Sequence, residues 1–396
     1  MALLRFLIPL FFLLFSFTEI GRIQLQNAVA INLTDIIILP IFFIWLFKIK
    51  KSKNYFLSGP LVLFTISCFI SLIFSFSLFP VNNILIGSLY LFRFIYYSFL
   101  YFVFRDFDEK LHSKVLNYLF LSGIIIIIIG FIQYFLYPNL ANLMYQGWDN
   151  HIFRLFSTFL DPNFAGTFLV LFFIFIFILR DQIKFLKNKY ILYFLLIANF
   201  VAIILTYSRG AILMLGVSCL AYCFVKKNFK LIVFFVGILI ITGIILSPRY
   251  YIENTNLFRM ASTTARLESI QSAFKIYERN KLFGVGFNNF RYAREKYGYQ
   301  DLSKFGPSHS GAGTDNSFVL VLVNSGILGI LTFIFLQIKL LKLSLMKISS
   351  NKLSQVLFVS LIGLIANSMF INSLFYSFFL IWIFILAGVT ERSLHE

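Results

Sequence analysis

The chain has 396 residues, of which 60% are hydrophobic and only 13% are charged, and its mean hydropathy is +0.87. A soluble domain of this length has no means of hiding so much apolar surface from water, so soluble classes are excluded. The net charge of +18 comes from short clusters of Lys and Arg between apolar runs. That distribution is typical of membrane topology rather than of nucleic-acid binding. The composition therefore predicts an all-α polytopic membrane protein.

About twelve apolar runs are long enough to be transmembrane helices when flanking side chains reach the interface. The predicted spans are residues 3–18, 29–47, 60–79, 83–104, 115–136, 164–179, 190–206, 210–225, 231–247, 316–337, 353–370 and 373–390. Alternate connections between them are strongly basic, as in residues 48–53. The charge rule makes those connections cytoplasmic, together with both termini. The opposite short connections hold only Arg22, Arg154 and Arg209.

The order of these runs divides the chain into three parts. Residues 1–247 contain the first nine spans, and residues 316–396 contain the last three spans with a cytoplasmic tail. Between them, residues 248–315 form a large connection before the third-last span, with ten cations and six acids. The topology predicts that this connection is extracytoplasmic, which is permitted because long loops cross a membrane largely regardless of charge.

The long connection is predicted to be partly helical. Four apolar residues recur at the spacing of an amphipathic helix. They are Leu267, Ile270, Phe274 and Tyr277. Gly284 and Gly286 then interrupt the chain, and a second short helix is predicted from Asn288 or Asn289. That helix places Arg291 and Arg294 three residues apart on one face.

Arg93 lies about ten residues into the fourth predicted span, near the bilayer midplane at about 1.5 Å per residue. A charge at that depth is costly and usually has a partner. Asp35, near the outer end of the second span, is the acid best placed to pair with it. Two interpretations stay open: a structural Arg93–Asp35 pair, or a binding site for a lipid-linked phosphate.

Several polar residues stand where helices begin. Asp161 precedes Pro162, which suits an N-cap followed by proline at the first helical position. Ser208 and Asp315 are likewise predicted caps of the eighth and tenth spans. Arg209 either reaches the interface or binds phosphate, because a guanidinium can grip phosphate oxygens in a bidentate manner.

No acid–base pair or metal-ligand cluster is recognisable from spacing, and we predict neither a metal nor a cofactor. His309 lies in a segment rich in Gly and Ser and is a candidate base, although a lone loop histidine usually has no catalytic role.

Four segments together resemble the O-antigen ligase/polymerase family, over most of the chain. They are, in chain order, Arg154 with Ser157 to Asn163; Thr206 to Gly210; Arg266 followed by Phe283 to Phe287 and Phe290; and Asp315 and Asn316 with Gly326 and Gly329. One position departs from the family pattern: ligases of the family place a histidine where this chain has Asp315. That departure favours a polymerase over a ligase.

The resemblance implies inverting, metal-independent glycosyl transfer on the outer face of the bacterial cytoplasmic membrane. A polyprenyl-pyrophosphate-linked saccharide is the implied donor and a second saccharide is the acceptor. The predicted function is polymerisation of oligosaccharide repeat units for O-antigen, capsule or exopolysaccharide, with a chain-length regulator as a further partner and no nucleic acid. The alternatives are a ligase that transfers glycan to lipid-A core or protein, and a lipid-linked oligosaccharide flippase.

The resemblance also implies roles for individual residues. Arg209 and Arg266 are expected to stabilise the pyrophosphate leaving group, with Arg154, Arg291 and Arg93 in support. Asp315 is expected to act as the base or to orient the acceptor. Orientation or support is expected of Asp161, Asn163, Asn316, His309 and Asp35.

Overall fold

The computed structural model describes residues 2–25, 29–48, 54–107, 109–228, 230, 237, 261–299 and 313–395. The secondary structure of the described residues is almost entirely helical. Its helices are α1 (Ala2–Phe15), α2 (Leu33–Lys48), α3 (Ser58–Phe74), α4 (Val81–Asp106), α5 (Glu109–Leu136), α6 (Pro162–Leu179), α7 (Lys189–Leu205), α8 (Arg209–Lys226), α9 (Ala261–Arg279), α10 (Phe290–Lys296), α11 (Ser317–Leu345), α12 (Lys352–Asn367) and α13 (Ser377–His395).

Seven described helices are long and apolar enough to cross a membrane, and four shorter apolar helices accompany them. The long ones are α3, α4, α5, α6, α8, α11 and α13, and the short ones are α1, α2, α7 and α12. These elements coincide with eleven of the predicted spans, and the all-α polytopic class is confirmed. The remaining predicted span, residues 231–247, lies outside the described residues apart from residue 237.

The connection between α1 and α2 is not a simple turn. Its two short strands, β1 (Arg22–Gln24) and β2 (Ala30–Asn32), pair antiparallel with Arg22 opposite Asn32. The prediction that the second span begins at residue 29 is therefore wrong, because backbone pairing keeps residues 30–32 extended. Helix α2 begins only at Leu33, and Asp35 in its first turn accepts a hydrogen bond of 3.0 Å from the backbone N–H of Asn32.

The bundle core lies where α4 packs along α13, α3 along α11 and α8 along α12. Large side chains fill it, and Tyr97, Tyr101 and Trp382 are completely buried. Gly388 permits the closest approach, because a Cβ at that position would lie 2.4 Å from the Tyr101 carbonyl oxygen. The consequence is a tightly packed α4–α13 pair that fixes the ends of both helices.

Helix α11 is broken at Gly326, whose φ of 65° is left-handed. The segment after α9 crosses this break: the Val285 N–H donates to the Val323 carbonyl at 3.0 Å, and the Gly286 N–H donates to the next carbonyl at 2.9 Å. A Cβ on Gly326 would lie 2.2 Å from the carbonyl oxygen of Leu282. Gly326 therefore lies at a kink that anchors the long connection to the bundle.

The two helices predicted in the long connection are present as α9 and α10. Two residues of the predicted apolar face of α9, Leu267 and Phe274, are exposed, whereas Ala273 and Ile276 are completely buried. Packing against α11 selects a face rotated from the one that apolar spacing indicates. Helix α10 begins at Phe290, directly after the predicted start at Asn288 or Asn289, and carries Arg291.

Candidate functional site

A cleft of about 590 Å³ lies where α6 and α11 begin and where the long connection returns to the bundle. Its lining is strongly charged, with four arginines and four acids among the described residues. They are Arg22, Arg154, Arg266, Arg291, Glu19, Asp149, Asp161 and Asp315. We call this the cleft, and the end of the bundle that holds it the cleft end. Apart from His151, every described cationic or potentially cationic side chain in the lining is an arginine.

Asp161 is the N-cap of α6, as predicted. Its Oδ1 atom accepts hydrogen bonds from the N–H groups of Asn163 at 2.6 Å and Phe164 at 3.3 Å, and Pro162 occupies the first helical position. The other carboxylate oxygen lies 3.9 Å from Nε2 of His151. Capping therefore occupies one oxygen of Asp161, while the side chain still lines the cleft.

Arg154 is almost fully buried, at 3% exposure, in the wall of the cleft. Its Nε donates to the carbonyl of Thr206 at 2.8 Å, and one terminal nitrogen lies 3.4 Å from the carbonyl of Tyr207. These carbonyls follow the last turn of α7, where acceptors lack partners within the helix. Arg154 therefore ties the segment before α6 to the end of α7, which makes it a positioning residue for the wall.

Ser208 caps α8, also as predicted: its Oγ accepts from the Ala211 N–H at 3.3 Å. The same hydroxyl donates to Oδ1 of Asn163 at 3.1 Å, which joins the starts of α6 and α8. Arg209, the first residue of α8, is outside the cleft lining but close enough to Arg266 for their charges to repel. Asn163 thus has a supporting role, and Arg209 extends the positive field beside the cleft.

Arg266 and Asp315 face each other across the cleft. The Nε of Arg266 lies 3.7 Å from Oδ2 of Asp315, a loose ion pair whose carboxylate side chain is 45% exposed. Partial burial raises the pKa of Asp315, with the carboxylates of Asp161 and Asp149 acting in the same direction and Arg266 opposing them. Both groups of this pair therefore remain accessible to a ligand in the cleft.

The N-cap of α11 is Asn316 rather than Asp315. Its Oδ1 accepts from the N–H groups of Phe318 and Val319, at 2.9 and 3.0 Å. The cap prediction for Asp315 is wrong by one residue, because two neighbouring side chains can each serve as a cap and sequence alone does not choose the register. The difference leaves the Asp315 carboxylate directed to the cleft, while Asn316 supports the helix.

A smaller cavity of about 240 Å³, which we call the inner chamber, adjoins the cleft deeper in the bundle. Arg93 lies in its wall and pairs with Asp35, as predicted, at 2.7 Å between Nη2 and Oδ2. The carbonyl of Ala30 accepts a second bond from the same nitrogen, and the Tyr97 hydroxyl donates to Asp35 at 2.5 Å. The Arg93–Asp35 pair is therefore both satisfied within the protein and exposed to the chamber.

Glu19 and Tyr376 line both cavities and were not identified by the sequence reasoning. Glu19 is buried to 8% exposure, and Nη1 of Arg22 lies 3.4 Å from its carboxylate. Burial raises the pKa of Glu19, whereas Arg22, Tyr376 and Arg93 act in the opposite direction. Only the isolated Glu19 and Arg22 next to an otherwise apolar run could have signalled this site.

The structure thus brings Arg154, Arg266, Arg291, Asp161, Asn163 and Asp315 together in the cleft. Arg93 lines the inner chamber with Asp35 behind it, and Arg209 and Asn316 lie beside the cleft rather than in it. The candidate base His309 lies outside the described residues. Within the described residues, no group of three or more His, Cys, Asp or Glu side chains is arranged to hold a metal ion.

Residues 192–334 match the model of a protein family described as O-antigen ligase. No curated protein matches the chain. The matched range runs from α7 into α11 and includes Arg209, Arg266, Arg291 and Asp315. The resemblance to the O-antigen ligase/polymerase family is thereby confirmed over the segment that supplies one wall of the cleft.

Proposed function

We propose that the protein polymerises polyprenyl-pyrophosphate-linked oligosaccharide repeat units of an O-antigen, capsule or exopolysaccharide. The reaction is inverting, metal-independent glycosyl transfer on the outer face of the bacterial cytoplasmic membrane. The observation that carries this proposal is the arginine-lined cleft, which continues into the inner chamber at one end of an apolar helical bundle. The family match supports glycosyl transfer of the O-antigen ligase type on lipid-linked saccharides.

The cleft is suited to the charge that develops on the leaving group. When the bond between the sugar and pyrophosphate breaks, negative charge grows on the pyrophosphate, and fixed cations stabilise it without reorganisation. Arg266 and Arg291 line the cleft, and Arg209 adds its charge beside Arg266. Arg154 contributes by holding the wall, because two of its nitrogens face backbone carbonyls.

Asp315 has one of two roles in this proposal: it accepts the proton of the attacking hydroxyl, or it orients the acceptor and Arg266. Its exposed carboxylate and its raised pKa suit the acceptance of a proton. Its contact with Arg266 is equally compatible with orientation.

Ligation of glycan to lipid-A core or protein is the second candidate, because the matching family is described as O-antigen ligase. The donor half of the reaction, and therefore the cleft, is the same in both cases. Asp315, at the position where ligases of the family place a histidine, favours the polymerase. Under either function we propose that both termini are cytoplasmic.

A deletion strain complemented with the wild-type gene or with Arg266→Ala tests the proposal. Loss of a polymerase leaves single repeat units on the final acceptor, whereas loss of a ligase leaves long chains on the carrier lipid. We expect the deletion and Arg266→Ala strains to show single repeats, and wild type to restore the polymer. Long carrier-linked chains would select the ligase. Unchanged glycan in the deletion strain would overturn both functions.

A further inference from the structure

The inner chamber is not an extension of the anion site, because its lining changes in character. Arg22 and Arg93 enter it, but Arg93 is already paired with Asp35 at 2.7 Å. Most of the remaining lining consists of amide side chains and aromatic rings, with a few aliphatic side chains such as Leu320 and Val321. Examples of the amides and rings are Asn32, Asn288, Asn372, Phe164 and Phe287.

Such a lining recognises a polar ring rather than a phosphate or a lipid tail. Amides offer both donors and acceptors, which a ring of hydroxyl groups can satisfy together. Aromatic faces supply apolar area for the C–H surface of the same ring, as is common in pockets with a few placed polar groups. Phe164 is held in position by stacking on Tyr376, with ring centroids 3.9 Å apart.

Glu19 stands where the chamber meets the cleft, since its side chain lines both. Beside it, none of the described residues makes a well-aligned hydrogen bond with the buried hydroxyl of Tyr376. That hydroxyl still interacts with the Glu19 carboxylate. A carboxylate with a hydroxyl beside it, at the junction of two cavities, forms a place to receive an incoming O–H group.

We propose that the inner chamber binds the terminal sugar of the acceptor saccharide, and that Glu19 accepts the proton of its attacking hydroxyl. This inference rests on the proposed function and deepens it. Tyr376 orients the hydroxyl, and Asp315 is left with the positioning of Arg266 across the cleft.

The acceptor oxygen forms a bond to the anomeric carbon of the donor sugar, and the bond from that carbon to the pyrophosphate oxygen breaks. The electron pair stays with polyprenyl pyrophosphate, which the cleft arginines hold, and the hydroxyl proton moves to the Glu19 carboxylate. Burial raises the pKa of Glu19, which makes its carboxylate a stronger base than an exposed one. Because Glu19 also lines the cleft, the proton can return to solvent through it.

The test uses the full-length protein in lipid nanodiscs with a synthetic polyprenyl-pyrophosphate oligosaccharide as both donor and acceptor. Glu19→Gln keeps the shape and removes the base, so we expect kcat to fall by about 10²–10⁴-fold while affinity for the lipid-linked donor changes little. Glu268→Gln, an exposed acid on α9 outside both cavities, is the matched control and should equal wild type. Asp315→Asn should lower kcat much less than Glu19→Gln.

Tyr376→Phe examines the chamber by removing the hydroxyl beside Glu19 while keeping the ring that stacks on Phe164. We expect a several-fold higher KM for a soluble acceptor oligosaccharide with an unchanged donor affinity. Wild-type turnover by Glu19→Gln, or a larger loss in Asp315→Asn, overturns the inference and leaves the polymerase proposal standing. Loss of donor affinity in Glu19→Gln assigns Glu19 to the donor site and also overturns it. An inactive wild-type protein, with donor intact, overturns the proposed function itself.

Discussion

Charged side chains at the two ends of the helical bundle differ in their partners and in their access to a cavity. At the end opposite the cleft, which we call the closed end, buried and part-buried carboxylates accept hydrogen bonds from neighbouring side chains. Asp106 accepts hydrogen bonds from Tyr55 at 2.6 Å and from the Trp45 indole at 2.9 Å. Glu391, whose side chain is 3% exposed, accepts from Tyr101 and lies 3.4 Å from Arg105. These charges join helices and line neither the cleft nor the inner chamber.

At the cleft end, residues of the same types line a cavity, and the Arg266–Asp315 pair is held loosely. Arg266 and Asp315 are 3.7 Å apart with partly exposed side chains, and Glu19 meets Arg22 at 3.4 Å beside open space. A buried charge that lacks partners within the protein lowers the stability of the fold. Charged side chains that are nevertheless retained around a cavity are therefore candidates to bind a ligand. The contrast between satisfied and unsatisfied charge, rather than the number of charges, distinguishes the two ends.

The largest expected effect concerns Arg93, which lies near the cleft end but is as well engaged as the closed-end pairs. Arg93→Ala leaves Asp35 buried without its cation, so we expect a loss of about 3–5 kcal/mol in stability. The measurement is the apparent melting temperature in detergent. The double variant Arg93→Met with Asp35→Leu removes both charges and should recover most of that stability.

The double variant also separates the two interpretations of this pair. A folded double variant with normal glycan synthesis makes the pair structural, like the pairs of the closed end. A folded but inactive one assigns Arg93 to the substrate. If Arg93→Ala melts at the wild-type temperature, the pair does not stabilise the bundle, and its resemblance to the closed-end pairs is lost.

The next effect is on activity at Arg266. Removing a fixed charge that stabilises a leaving group costs about 10²–10³ in rate, so Arg266→Ala should lower the rate of polymer formation by that factor. Arg266→Lys should recover only part of it, because an ammonium group cannot make a bidentate contact. Single-turnover assays with lipid-linked donor measure both variants.

Arg279→Ala is the control for Arg266, since it removes a cation from the same helix at a position outside the cleft. Arg279 stacks over the Tyr297 ring at 4.9 Å, and its loss should cost at most about 1 kcal/mol of stability with little change in rate. If Arg266→Ala and Arg279→Ala lowered the rate equally, the cleft arginines would act only through the net positive charge of the region.

A smaller effect is expected at the kink of α11. Gly326→Ala adds a Cβ at φ 65°, within 2.2 Å of the Leu282 carbonyl oxygen, and should cost about 1–3 kcal/mol. Because the kink anchors the segment that leads to Asn288 in both cavities, activity should fall even in the folded fraction. Gly59→Ala in α3, where nothing lies within 4 Å, should leave melting temperature and activity unchanged. An unaffected Gly326→Ala would show that the segment is not held by the kink.

Local features of this architecture were predictable from sequence, and long-range ones were not. The caps at Asp161 and Ser208 depend on neighbours along the chain and were predicted correctly. The Arg93–Asp35 pair was predictable because few acids lie in apolar runs. Glu19 and Tyr376 stand near opposite ends of the sequence, and only folding brings them together at the chamber.

The errors have equally specific causes. The register of the α11 cap depended on which of two adjacent side chains turned inward, and Asn316 did so. The start of α2 lies at Leu33 rather than at residue 29, because residues 30–32 pair in a strand. The break in α11 at Gly326 was not predicted, because it accompanies backbone contacts with a different segment of the chain. These last two features depend on contacts between segments rather than on local preference.

The smallest expected effect is a difference in the pH dependence of stability between one aspartate at each end of the bundle. At the closed end, a hydrogen bond from Lys352 lowers the pKa of Asp181, while partial burial raises that of Asp315 at the cleft end. A lowered pKa contributes stability above the usual Asp range, and that stability is lost as pH falls through the folded-state value. A raised pKa has the opposite sense: stability is fully present below the usual range and declines as pH rises through the folded-state value.

Melting temperatures of Asp181→Asn and Asp315→Asn, measured from about pH 4 to pH 8, should therefore diverge in opposite directions from wild type. Asp181→Asn should be less stable at neutral pH by at most about 1 kcal/mol, because exposed ion pairs contribute little. Asp315→Asn should be at least as stable as wild type at neutral pH and lose that advantage in acid. Such a gain in stability with reduced glycan synthesis is the pattern expected where a charge serves a site rather than the fold. Destabilisation of Asp315→Asn at neutral pH would mean that this carboxylate stabilises the fold, as the carboxylates of the closed end do.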